Sequence, residues 1–194
     1  MKKVFIIHGW DGRPDKGWLR WLKNELLKKG FKVKSLNMPN PDIPKINSWV
    51  SHLKKIIKNP NENTFLIAHS IGCQAVIRYI ESLPNNIKIG GVIFVAGWFN
   101  LQNLETDEEK TISEPWIKAP IDFNKVKPKI NNAFALFSDN DPWVPISDSN
   151  IFKEKLGARI VIEKDKGHYI ENITKEIPVV LNELLNMTKD NLSN

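Results

Sequence analysis

At 194 residues, 41% hydrophobic and 26% charged, the chain suits one globular domain with a sizeable core, expected to span residues 1–194, and is too short for two ordinary ones. A single cysteine excludes an internal disulfide framework, and the longest apolar runs, such as Gly90 to Phe99, fall short of a membrane span. The net charge of +6 is concentrated in residues 1–60, but it rests mostly on lysines of predicted helix faces (Lys23, Lys28, Lys29, Lys54, Lys55, Lys58) with few arginines, a solvated face rather than a nucleic-acid reader.

Lys3 to Ile7 reads as a short β-branched strand ending at His8-Gly9-Trp10-Asp11-Gly12. Its apolar run is too brief for a signal-peptide core, and with the lone cysteine it gives the expectation of a cytoplasmic protein. Asp15 is placed to cap a helix with Trp18, Leu19, Leu22 and Leu26 on one face and Gly30 as its stop. Phe31 to Leu36 is a second strand, followed by a loop with Pro39, Pro41 and Pro44 and a helix over Ser48 to Lys58. Thr64 to Ala68 reads as a buried strand, and Ala75, Val76, Tyr79, Ile80 and Leu83 then recur at helical spacing. Ile87 to Ala96 is a continuous apolar strand. Residues 98–128 break the rhythm. Pro115-Trp116 and Ala119-Pro120 are read as interrupting any long helix, which leaves an insertion capping the strand ends with a short turn near Asp122 to Val126. Ala133 to Ser138 is the next strand, Ser147 to Leu156 a helix and Ala158 to Glu163 the last strand. A final helix starts near Pro178, and residues 188–194 are expected to fray. This alternation predicts a compact α/β fold, a mostly parallel sheet with helices on both faces and its function at the carboxyl ends of the strands.

The chemistry centres on Ala68-His69-Ser70-Ile71-Gly72, between a predicted strand and a predicted helix. Serine with small residues two positions either side, at a sharp strand-to-helix turn, is the nucleophile elbow of α/β-hydrolases, here with alanine for the usual first glycine. A serine hydroxyl needs a base. His52 sits on a lysine-flanked helix and is read as exposed, His8 follows the first strand, and His69 is read as pointing away from Ser70. His168, after Gly167 and just past the last strand, is the candidate base. The base needs an acid to fix its tautomer. Asp141, in Asp141-Pro142-Trp143-Val144-Pro145, is the choice, with Asp139 the alternative and Asp141 then a turn residue. The chain order Ser70, Asp141, His168 is that of α/β-hydrolases. Backbone amides of Ile71 and of the Trp10-Asp11 region, with Trp10 preferred, would form the oxyanion hole.

These motifs, with Asp122-Phe123-Asn124-Lys125-Val126-Lys127 and Lys166-Gly167-His168, make the sequence resemble the α/β-hydrolases of the retinoblastoma-binding protein nine type and the bacterial YdeN-like serine hydrolases, over nearly the whole chain. The resemblance implies a compact serine hydrolase with esterase-like activity and no cofactor. The retinoblastoma-binding Leu-x-Cys-x-Glu motif is not carried over, because Ile71 and Ala75 flank the single cysteine at those positions.

Cys73, at the start of the elbow helix, is read as packing rather than as a reactive thiol. Trp10, Trp98, Trp116 and Trp143 lie in predicted loops at strand carboxyl ends and are expected to wall an apolar acyl pocket. Metal-ligand spacing and Gly-rich phosphate loops are missing from the sequence. The expectation is a serine esterase for small ester substrates, with no metal, cofactor, nucleic-acid or membrane partner. A peptidase or thioesterase with the same residues, or a binding protein on a hydrolase scaffold, is the alternative.

Overall fold

A computed structural model describes residues 1–190. Six strands form one parallel sheet in the order β2-β1-β3-β4-β5-β6: β1 (Lys3–Ile7), β2 (Lys32–Leu36), β3 (Thr64–His69), β4 (Gly91–Val95), β5 (Ala133–Ser138) and β6 (Arg159–Glu163). The period-two alternation of the strands divides the core. Val4, Ile6, Phe65, Ile67, Ile93, Val95, Phe134 and Leu136 face α1 (Gly17–Lys28) and α7 (Pro178–Asp190). Their neighbours Phe5, Ile7, Leu66, Ala68, Phe94, Ala135 and Phe137 face α2 (Ile46–Ile56), α3 (Ile71–Glu81) and α6 (Asp148–Leu156). Helices on both faces force the central strands to be apolar throughout, so β3 and β4 are buried along their whole length. The strand order reverses between β1 and β3, and the loops leaving these two carboxyl ends therefore meet in a crevice.

Several local expectations change. The residue before α1 is Lys16, and no side chain caps that end, so Asp15 does not act as the cap; Gly30, at φ +81, does terminate the helix. Residues 98–128 hold a twelve-residue helix, α4 (Asp107–Lys118), with Pro115 inside it, before a short α5 (Phe123–Val126) and a 3₁₀ turn at Lys127–Lys129. A capping box starts α4: Thr106 Oγ1 accepts from the Glu109 amide at 3.1 Å, and Glu109 Oε2 accepts from the Thr106 amide at 2.9 Å. The Arg78 guanidinium holds its far end by donating to the carbonyls of Trp116, Ala119 and Pro120. These anchors outweigh the hydrogen bond that Pro115 cannot donate. His52 is half-buried rather than exposed. Helix α7 runs on through Thr188, which is buried and whose hydroxyl donates to the Leu185 carbonyl, so the expected fraying at 188–190 is replaced by helix; residues 191–194 lie outside the described residues.

Candidate active site

Ser70 stands between β3 and α3 with φ 51 and ψ −125, a left-handed conformation that a non-glycine residue adopts only when its surroundings impose it. The tightness of the turn dictates the flanking residues. A Cβ on Gly72 would lie 2.6 Å from the His8 carbonyl oxygen, and one on Gly9 would lie 3.1 Å from Ser70 Cβ. Ala68, in contrast, sits in register between Ile7 and Phe94 with room for its methyl group, which is why alanine serves there.

Ser70 Oγ is 2.8 Å from His168 Nε2, and His168 Nδ1 is 2.7 Å from Asp141 Oδ2. All three residues are buried. The other Asp141 oxygen accepts from the amides of Trp143 and Val144, both at 3.0 Å, which locks the carboxylate in orientation. Asp139 does something else: its Oδ1 accepts from the Asp165 amide at 2.9 Å. It joins Ser138 and Asn140, which accept from the amides of Lys166 and Gly167, in fixing the loop that carries His168. The two acids are thus distinguished, and Asp141 is the one on the imidazole. Burial lowers the His168 pKa, with the nearby His69 acting in the same direction, and the hydrogen bond to Asp141 opposes both. The result is a ring that is neutral at neutral pH, with Nδ1–H donating to Asp141 and the Nε2 lone pair turned to the serine hydroxyl.

Of the predicted tryptophans, Trp10, Trp98 and Trp143 line a cavity of about 410 Å³ above Ser70, together with Leu101, Leu104 and Ile170. Trp98 does more than wall the pocket. Its indole Nε1–H points at Ser70 Oγ at 3.3 Å. Asp148 holds that loop, accepting from the amides of Phe99 and Asn100 and from the Asn100 side chain, and Gln74 binds the Trp98 carbonyl. Trp143 packs edge-on against His168, with ring centroids 5.2 Å apart. Trp116 does not belong to the pocket. Carried inward by α4, it packs against Trp49 and donates to the Pro44 carbonyl at 3.0 Å.

Ile71 is the first residue of α3, where a helix leaves its amides without intrahelical partners. The Asp11 amide is committed to the Pro41 carbonyl at 2.7 Å, which leaves Trp10 as the donor candidate in that loop. His8 supports the same loop. Its Nε2 accepts from the Met38 amide, so Nδ1–H donates to the Gly9 carbonyl, and burial keeps the ring neutral. Cys73 is fully buried, its thiol pushed up by desolvation, as packing requires. Two residues at the site escape sequence reasoning, the ring of His69 and the carboxylate of Glu171, both on the cavity wall. Among the described residues no cluster of His, Cys, Asp or Glu has metal-site geometry, and no helix is long and apolar enough to cross a membrane.

Known proteins share the sequence pattern and the fold of this chain. The YdeN protein of Bacillus subtilis (strain 168) is 33% identical over 172 residues, 88% of this chain and 87% of that protein. Its crystal structure superposes with a TM-score of 0.88, covering 97% of this chain and all of that one. The serine hydrolase RBBP9 of Rattus norvegicus is 23% identical over 170 residues, 87% of each chain. Est1E of Butyrivibrio proteoclasticus, solved with ferulic acid bound, shares the fold with a TM-score of 0.73 at 13% identity, covering all of this chain and 90% of that one. The model of the family described as serine hydrolase matches residues 4–175, a span that takes in the elbow, the acid loop and the histidine loop, and the chain belongs to that family.

Proposed function

We propose that the protein is a serine esterase acting on small esters through an acyl-enzyme. The observation that carries this reading is the unbroken run Ser70 Oγ, His168 Nε2, His168 Nδ1, Asp141 Oδ2 at 2.8 and 2.7 Å, on a strained elbow at the floor of a cavity. The serine proton passes to His168 as Oγ attacks the ester carbonyl. Asp141 stabilises the imidazolium so formed, and the amides of Ile71 and Trp10 take the tetrahedral oxyanion. Collapse of the intermediate breaks the ester bond, with His168 returning its proton to the departing alcohol. Water, its proton taken by His168, then attacks the acyl-enzyme; the acyl–Oγ bond breaks, His168 returns that proton to Ser70 Oγ, and the carboxylic acid is released.

The cavity wall selects for size. Three indoles and three aliphatic side chains bound a space of about 410 Å³, and Leu101, Leu104 and Glu109 bring the segment after β4 and the start of α4 over it. Each buried methylene adds about 0.8 kcal/mol only while there is room for it. Rates on p-nitrophenyl esters from acetate to palmitate should therefore peak in kcat/KM at short acyl chains, roughly two to six carbons. A maximum at about ten carbons or beyond would mean that the cover forms part of a long acyl groove. Ser70→Ala should abolish turnover of every ester in the series.

A further inference from the structure

The relay of Ser70, His168 and Asp141 leaves two buried ionisable side chains beside it unused. His69 ends β3 directly before the nucleophile, and Glu171 follows the base by three residues; their side chains are 4% and 10% exposed. The His69 ring has two polar neighbours, and both are acceptors. Nε2 lies 2.8 Å from the main-chain carbonyl oxygen of His168, and Nδ1 lies 3.2 Å from Glu171 Oε1. An imidazole carries two N–H groups only when protonated. A neutral ring would turn a lone pair toward either the carbonyl or the carboxylate, and one of the two bonds would become a repulsion.

The surroundings favour the charged pair. Burial works against a charge on His69, but the Glu171 charge and hydrogen bond, the His168 carbonyl and the charge of Asp141 outweigh it and raise its pKa. Burial likewise works against Glu171, which the His69 charge and hydrogen bond nevertheless hold down to about 2. The titratable groups facing His69 are Glu171 and His168 from the loop after β6, Asp141 from the loop after β5 and His8 from the loop after β1. From α1, Trp18 packs edge-on against the ring with centroids 5.7 Å apart. Glu171 is itself anchored. The Trp18 amide donates to the Thr174 carbonyl and its indole to the Tyr169 carbonyl, while Gly17 approaches so closely that a Cβ there would collide with the Glu171 carbonyl.

We propose that His69 and Glu171 are positioning residues: the His69 imidazolium, held by Glu171, clamps the main-chain carbonyl of His168 and keeps the base in line with Ser70 only while His69 stays protonated. The proposal rests on His168 being the catalytic base. It also explains why a ring directly beside the nucleophile contacts the base through its backbone. The clamp acts on the base through the His168 backbone, although both side chains also lie on the cavity wall, so its loss should lower kcat more than it raises KM. A misplacement of about 1 Å in such a constellation costs on the order of 10²-fold.

The sign of the pH effect follows from the ring. The clamp is complete while His69 is protonated and is lost as pH rises through its raised pKa. The wild type should therefore show an alkaline fall in kcat of roughly 10–100-fold, centred where His69 itself titrates. Glu171→Gln should remove that fall, because a glutamine amide donates to a neutral Nδ1 while Nε2–H still holds the His168 carbonyl. Two measurements decide the matter: pH profiles of kcat and KM for wild type and Glu171→Gln with p-nitrophenyl acetate, and imidazole nitrogen NMR of the wild type. In the NMR spectrum at about pH 7.5, His69 should show both ring nitrogens protonated, above the ordinary histidine pKa of about 6.5. A singly protonated His69 there, an alkaline fall that persists in Glu171→Gln, or a wild-type rate that stays flat through the His69 titration would each overturn the proposal. If Glu171→Gln does not fold, the NMR reading and the wild-type profile still decide it. Failure of the underlying reading looks different: Ser70→Ala would retain turnover, whatever the state of His69.

Discussion

Replacing Asp141 by asparagine changes one atom and should silence the enzyme. Asp141 Oδ1 accepts from two backbone amides, those of Trp143 and Val144, so the oxygen of an asparagine will keep that position. Its NH₂ group then occupies the place of Oδ2, 2.7 Å from His168 Nδ1. A donor there forces Nδ1 to accept, and the ring proton moves to Nε2, where it faces the Ser70 hydroxyl and blocks proton transfer. In a triad of this kind the wrong tautomer costs about 10⁴ in turnover, or roughly 5.4 kcal/mol of transition-state stabilisation. Asp139→Asn should behave differently. The amide of Asp165 can donate to the asparagine oxygen as it does to Asp139 Oδ1, so the loss should be about tenfold or less. The assay is kcat/KM on p-nitrophenyl acetate for both variants, with thermal melts to confirm folding. Equal losses, or a larger one at Asp139, would refute the assignment of roles.

Trp98→Phe keeps the apolar wall but removes the donor to Ser70 Oγ, and should lower kcat by about tenfold with little change in KM; an unchanged kcat would leave the indole N–H without a part in the reaction. His168 must be neutral to act, and burial lowers its pKa, so the acid limb of kcat/KM should fall below the ordinary histidine value of about 6.5. A limb above that value contradicts the burial argument. Gly72→Ala would set a methyl group 2.6 Å from the His8 carbonyl oxygen. Overpacking of this kind costs about 1–3 kcal/mol, which for a chain of this size lowers Tm by roughly 2–12 °C; an unshifted melting curve would show that the elbow has slack.

What could be read from the sequence was local. The strand, turn and helix around Ser70 declare themselves in consecutive residues, and the parallel sheet follows from strands alternating with helices. Asp141 and Asp139 stand in one loop; the Asp-x-x-Val-Pro pattern favours Asp141 in the sequence, and the direction of each carboxylate in space separates the two. Trp116 could equally have packed inward or lined a pocket; α4 turns it inward. Thr106-x-x-Glu109 is the sequence signal for that helix, and reading Pro115 as a breaker masks it. The elbow also hides His69. His168 arrives from the last loop and meets the His69 ring through its backbone, on the wall of the same cavity as Ser70. Glu171 sits in an aperiodic loop where nothing marks a carboxylate as buried.

The central claim, that Ser70 is the nucleophile that carries the acyl group, is tested most directly by labelling with a fluorophosphonate and locating the adduct by peptide mass spectrometry. The account predicts one adduct, on the peptide containing Ser70, and none in Ser70→Ala. An adduct on another serine, or undiminished labelling of Ser70→Ala, would contradict it.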